Sequence, residues 1–161
     1  MRYKIAYGYG FFLALLIHFL SGCTGDNPEP TGLFGATFSG DFTYDMEGNA
    51  RFRLEPSGNN GIVIVNLTES NNTFIRIVLP NPNASKILLE PGTYTIVTQL
   101  GNDVFTEALV DFVKDGLTFK AQSGQVNIGI SKTTQISGQI ANAEFSVLRS
   151  MCNGTFDSIP E

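Results

Sequence analysis

From Ala36 onward apolar side chains fall on every second position, and this period of two limits what the chain can fold into. Successive side chains of a strand point to opposite faces, so the alternation buries one face and leaves the other in water. Phe38, Gly40, Phe42 and Tyr44 share one face, while Thr37, Ser39, Asp41 and Thr43 share the other. Asp45-Met46-Glu47-Gly48-Asn49 supplies a turn, after which Ala50, Phe52 and Leu54 alternate with Arg51, Arg53 and Glu55. Two half-buried strands around a glycine-containing turn predict an antiparallel hairpin.

The pattern repeats to the end of the chain. Pro56 to Gly61 reads as a loop, and Ile62–Leu67 and Phe74–Leu79 form a second hairpin around Glu69-Ser70-Asn71-Asn72. Both runs are apolar on both faces and are expected to lie centrally. Pro80 to Ser85 breaks the ladder, because proline cannot donate to it. Pro91-Gly92 suits a type II turn into Thr93–Val97. The phrase Leu89-Glu90-Pro91-Gly92-Thr93-Tyr94 looks like a turn-strand unit common in extracellular β-sandwiches. Asp103 to Val113 supports either a helical stripe (Phe105, Leu109, Phe112) or an alternating strand (Ala108, Val110, Phe112). The tight turn Asp115-Gly116 into Leu117–Ala121 favours a loop running into a strand.

Val126, Ile128 and Ile130 alternate cleanly. Between Gln135 and Leu148 the parity changes: Ile136 and Ile140 lie on one face, whereas Ala143, Phe145 and Val147 lie on the other. One inserted residue reconciles them. Asn153-Gly154 is expected to turn the chain into a closing strand, Thr155 to Ile159. Glycine recurs before an apolar strand position at Ser39-Gly40, Ser123-Gly124, Ser137-Gly138 and Asn153-Gly154, which marks bulges or close strand crossings. About ten short strands in this arrangement predict an all-β domain over residues 35–161. The expected architecture is a single antiparallel β-sandwich, with a partly open barrel as the alternative.

The N-terminus carries an address. Arg2 and Lys4 precede an apolar run, Ile5 to Leu20, which ends in Leu20-Ser21-Gly22-Cys23. The run is shorter than the roughly 20 apolar residues a transmembrane helix needs, and Gly8, Gly10 and His18 interrupt it. It reads as a secretory signal peptide over residues 1–22. Leu20-Ser21-Gly22-Cys23 resembles the bacterial lipoprotein box. That resemblance implies a diacylated Cys23 as first mature residue, hence a cell-envelope protein lipid-anchored at the outer membrane, facing periplasm or cell surface. Residues 23–34 form a flexible spacer, with no apolar side chain from Thr24 to Gly32. Asp26 and Glu29 loosely resemble the acidic tract that directs Bacteroidota lipoproteins to the surface.

Cleavage before Cys23 would leave 139 residues, one ordinary domain. Of ten Lys and Arg, Arg2 and Lys4 leave with the signal, so eight face fifteen Asp and Glu, a net charge of about −7. Nucleic acid is therefore not an expected partner. The sole histidine, His18, also leaves, removing imidazole bases and metal ligands. With Cys23 lipidated, Cys152 has no disulfide partner and reads as a small core residue.

Asp41, Asp45 and Glu47 cluster on one hairpin but lack a calcium-loop spacing, and a solvated turn is the better reading. Asp111 and Asp115 flank a turn and read the same way, since a glycosidase pair needs a defined cleft and a raised pKa on one carboxylate and the sequence shows neither. A sugar platform is poorly provided for, with no Trp and only Tyr44 and Tyr94 after the signal. No catalytic residue, metal site or cofactor is expected, and the chain does not read as an enzyme. Asp157-Ser158-Ile159 matches the Bacteroidota O-glycosylation pattern and marks Ser158 as an exposed acceptor. The binding candidates are the loop asparagines Asn59, Asn60, Asn81 and Asn83, whose amides both donate and accept. The alternative reading gives them turn geometry alone.

The signal, the strands Ser123–Ile128 and Ile136–Ile140, and Asn153-Gly154-Thr155-Phe156-Asp157 together resemble small Bacteroidota lipoproteins of β-sandwich fold and no established activity. The expected function is a membrane-anchored, non-catalytic interaction or structural module, with protein or glycan as partner. A binder of small apolar ligands or glycans, using a cavity or loops, is the alternative.

Overall fold

The computed structural model describes residues 31–102 and 104–161, and every regular element among them is a strand. In chain order these are β1 (Leu33–Gly40), β2 (Tyr44–Ser57), β3 (Asn60–Ser70), β4 (Thr73–Asn81) and β5 (Gly92–Ile96). They are followed by β6 (Glu107–Lys114), β7 (Leu117–Lys120), β8 (Ser123–Lys132), β9 (Gln135–Phe145) and β10 (Ser150–Pro160). Their spatial order is β4-β3-β2-β1-β10-β9-β8-β5-β6-β7. β4 also pairs with β6, from Thr73↔Lys114 to Val78↔Leu109. That contact closes nine strands into a barrel, with β7 attached to β6 as the tenth.

The all-β expectation holds, but closure corrects the sandwich to a barrel. Sandwich and barrel strands alternate alike, since each buries one face. The difference lies in whether the sheet's own edges meet, and here they do. Closure removes rows of unpaired N–H and C=O groups that an open sheet would leave at its edges.

The interior is filled. Phe38, Phe112 and Phe145 are fully buried and in mutual contact, with Phe38 and Phe112 centroids 4.5 Å apart. Phe42, Tyr44 and Phe119 close the cluster at one end of the barrel. Below them Val63, Val65, Leu67, Ile75, Ile77, Leu79, Val110, Ile136 and Ile140 pack at 2% exposure or less. Cys152 is buried among them, and burial pushes its thiol from 9.0 up to about 12.

Three turns lie elsewhere than expected. Asp45 to Asn49 is strand, not turn: Phe38 pairs with Tyr44 and Leu33 with Asn49, so the chain reverses at Asp41–Thr43. Gly48 is there because β3 passes close by; a Cβ on it would lie 2.3 Å from the Thr68 carbonyl oxygen. The Pro56–Gly61 loop contracts to Gly58-Asn59, since Ser57 pairs with Asn60. Asn153-Gly154 lies within β10, and the preceding turn is 146–149. Pro80 and Asn81 extend β4, because β6 stops pairing at Val78 and leaves the proline on an edge that needs no donor.

Other local readings hold. β6 is a strand, and the Asp115-Gly116 turn has φ of 51° and 82°, as a type I′ hairpin requires. β9 carries one inserted residue: Cys152↔Ala143 and Gly154↔Ile140 bracket two residues against one, with Asn142 at φ 52°. The Tyr94 hydroxyl donates to the Glu90 carbonyl at 2.8 Å, tying β5 to the segment before it, but Gly92, at φ 156° and paired with Ile128, opens β5 instead of centring the type II turn expected there. The four recurrent glycines all sit where a main-chain carbonyl leaves no room for a Cβ, that of a neighbouring strand at Gly124, Gly138 and Gly154 and that of Arg149 in the 146–149 turn at Gly40.

Two outcomes follow for stability. Phe38→Ala should cost about 3–5 kcal/mol in urea unfolding, whereas Val147→Ser, at 79% exposure, should change it by less than about 0.5 kcal/mol. The raised Cys152 pKa means the unfolded chain releases the thiol proton first as pH rises. Its contribution is thus complete below pH 9 and is lost as pH climbs toward 12. Urea midpoints over that window should fall more steeply for the wild type than for Cys152→Ala; parallel slopes would refute it.

Candidate functional site

The outer wall of β2, β3 and β4 carries the densest group of charged side chains with convergent partners. Residues directly opposite in a ladder share a face. Arg51 pairs with Asn66, Asn66 with Arg76, and Arg76 with Asp111. The row therefore runs straight across four strands on the outside. Arg53 lies two residues along β2 on the same face, and Phe74 two residues before Arg76. Together with Thr68, Ser70, Asn71 and Glu161 they line an open groove of about 410 Å³.

Each arginine is held. Arg76 Nη2 donates to Asp111 Oδ2 at 2.6 Å, and Asp111 is 6% exposed. Arg53 Nε donates to Glu55 Oε1 at 2.7 Å, and its Nη1 to Glu161 Oε1 at 2.9 Å. Glu55 is the main reason its pKa lies above the ordinary value, with Glu161 adding to it. Asn66 Nδ2 donates to the same Glu161 oxygen at 2.9 Å. Arg51 Nη1 reaches the Pro160 carbonyl at 3.4 Å. The groove is thus a preformed carboxylate seat, occupied by Glu161. Glu161 is brought there by two contacts of the last strand: β10 pairs with β2 in parallel at Ile159↔Arg51, and the Glu161 N–H donates to the Phe52 carbonyl.

A second recess, about 430 Å³, lies at the barrel end where β4 stops and β5 begins. Pro80, Pro82, Leu88, Pro91, Tyr94 and Phe105 make it largely apolar, and Leu88 is 49% exposed. Burial raises the Tyr94 phenol above its ordinary value. At the opposite end the Tyr44 hydroxyl donates to Glu69 Oε2 at 2.6 Å, and Lys114 Nζ stands 4.2 Å from its ring centroid. The Glu69 hydrogen bond, then burial, raise the Tyr44 phenol.

The residues singled out from sequence scatter over the barrel. Cys23 lies outside the described residues. Ser158 is a core hydroxyl at 0% exposure, donating to the Ile136 carbonyl at 2.5 Å. The exposed acceptor expected there is corrected, because Ser158 shares the inward parity of Cys152 and Phe156. Asn59 is exposed at the β2–β3 turn, and Asn60 opens β3 opposite Ser57. Asn81 is fully buried, with Nδ2 donating to the Asn83 and Lys86 carbonyls and Oδ1 accepting from Leu88 N–H at 2.7 Å. Asn83 Oδ1 accepts from the N–H groups of Ser85 and Lys86. Both amides hold the 82–88 segment in shape.

The acidic residues do not converge. Asp41 faces Arg149 at 3.6 Å, Asp45 and Glu47 point outward from β2, and Asp115 sits in its turn while Asp111 binds Arg76. Among the described residues no group of three or more His, Cys, Asp or Glu could hold a metal ion. The sequence reading missed the groove, although outward Arg51 and Arg53, and Arg76 inside an apolar run, were its visible signal. Comparison with family models, curated proteins and solved structures found no match for this chain.

The Arg76–Asp111 pair should behave as a half-buried, charge-assisted bond. Arg76→Leu should cost about 2 kcal/mol by leaving a buried carboxylate unpaired, and Arg76→Leu with Asp111→Leu should recover most of that. Additive losses in the double variant, measured by urea unfolding, would show that the two do not interact.

Proposed function

We propose that this chain is a bacterial envelope lipoprotein, held by a lipid on Cys23, whose barrel is a non-catalytic binding module that meets its partner on the outside. The packed interior carries this reading: Phe38, Phe112, Phe145 and the aliphatic layers below them fill the barrel with its own side chains. Recognition then falls to the outer wall and the barrel ends. Polarity supports an aqueous setting for the domain. Membrane barrels turn an apolar band outward and a polar lumen inward, whereas here Arg51, Arg76, Asp45 and Glu47 face out and Phe, Ile and Val face in. Among the described residues no helix is long and apolar enough to cross a membrane.

The attachment geometry is consistent with a tether. Thr31 N–H donates to Asp157 Oδ2 at 2.8 Å, and Gln135 Nε2 to Asp157 Oδ1 at 2.8 Å. The chain thus meets the barrel at the end opposite the aromatic cluster. Eight residue steps separate Thr31 from Cys23, a reach of roughly 28 Å at most. Two acyl chains suffice for stable anchoring, each buried methylene contributing about 0.8 kcal/mol.

A second reading, a binder of small apolar ligands, is favoured by the proline-lined recess beside Leu88. Metabolic labelling with an alkynyl palmitate analogue should tag the wild type and not Cys23→Ala. Label retained by that variant would remove the lipoprotein reading. A hydrophobic dye should leave the melting temperature of the barrel unchanged; saturable binding with a rise would favour the recess.

A further inference from the structure

We propose that the outer groove between β2 and β4 binds carboxylate-bearing sugars, and that Glu161 is the internal occupant such a ligand displaces. This deepens the reading of the barrel as a binding module and does not depend on the lipid. The chemistry of the seat comes first. A guanidinium and an amide, Arg53 and Asn66, already share one carboxylate oxygen at 2.9 Å each. Charge-assisted bonds of this kind are short and selective for carboxylates and phosphates. Arg51 is exposed, with the Pro160 carbonyl at 3.4 Å as its partner among the described residues, and of the groove arginines it has most capacity to turn toward a ligand.

The surroundings choose between ligand classes. A peptide commonly gains affinity by adding a strand to an open edge. Within the groove strand addition is blocked at β3, which is paired with β2 and β4, and at β4 from Thr73 to Val78, which is paired with β3 and β6. Recognition must therefore pass through side chains. Thr68, Ser70 and Asn71 offer neutral hydroxyls and an amide beside the half-buried ring of Phe74. A pyranose presents both counterparts, hydroxyls around its rim and an apolar C–H face. The groove's 410 Å³ falls within the usual range of small-ligand sites.

Glu161 has a competing explanation, since it also clasps β10 onto β2. The experiment separates the two. The full chain, purified in detergent, is titrated calorimetrically with trigalacturonate, with neutral galactotriose and with triglutamate peptide as comparisons. The wild type should bind trigalacturonate, and more weakly as salt rises. Glu161→Gln should tighten that binding about tenfold by removing the competing charge, and Arg51→Ala should weaken it about tenfold. Glu161→Gln that only lowers the melting temperature would make Glu161 a clasp and overturn the proposal. So would equal binding of galactotriose, equal binding of triglutamate, or no binding by either wild type or Glu161→Gln. Such failures leave the module reading itself to the labelling and dye experiments, neither of which involves the groove.

Discussion

The ladder between β4 and β6 is the contact on which the architecture rests. Without it the sheet would end at β4 on one side and at the β6–β7 hairpin on the other, with two long polar edges in water. The paired segments, Thr73–Val78 and Leu109–Lys114, are separated by the whole of β5 and its flanking loops. Bringing them together closes a span of thirty residues, 79–108, a cost that grows only slowly with loop length. The return is a continuous core: Ile75, Ile77, Val110 and Phe112 become inward neighbours across the seam, each at 1% exposure or less. Closure also brings Arg76 opposite Asp111, so a salt bridge sits on the outside of the same seam.

Much of the local structure was legible because a strand's face is written in its parity. Phe38, Ala50, Phe52, Ala108, Val126 and Ile128 are all inward, as alternation required. Even the irregularity of β9 could be read, since a parity change within one strand demands an extra residue, and Asn142 is that residue. Turns were harder. Gly48 and Gly154 looked like turn glycines but serve close approach between strands, and the two roles use the same residue type for different reasons. Nothing in one strand's sequence announces how near its neighbour will pass.

The groove was legible only in halves. Outward Arg51 and Arg53 follow from the parity of β2, and an arginine inside Phe74–Leu79 is conspicuous because it breaks an apolar run. Their union depends on register, which joins Arg51, Asn66 and Arg76 into one row, and on the parallel pairing of β10 with β2 that delivers Glu161. Neither relation is local in sequence. The asparagines misdirected for a related reason. Asn81 and Asn83 have the composition of a binding loop, but their amides are consumed by main-chain groups of residues 83–88. An exposed-looking amide in a proline-rich segment must first satisfy the backbone that proline leaves without regular partners.

The placement of charge explains why such a groove needs an internal carboxylate at all. Three of the four arginines outside the signal region lie on this one patch. Left unpaired they would repel one another, with Arg51 and Arg53 two residues apart on β2 and Arg76 two strands away on β4. Glu55 and Glu161 both pair with Arg53 and Asp111 pairs with Arg76, so three carboxylates match the three arginines in number, but unequally. Asp111 is buried beneath Arg76 and cannot leave without opening the seam, and Glu55 is two residues from Arg53 on the same strand. Glu161 follows β10, held by one main-chain bond and by three side-chain bonds from Arg53 and Asn66. Of the three carboxylates it is the one whose replacement by a ligand's carboxylate would leave barrel closure and the Arg76–Asp111 seam untouched.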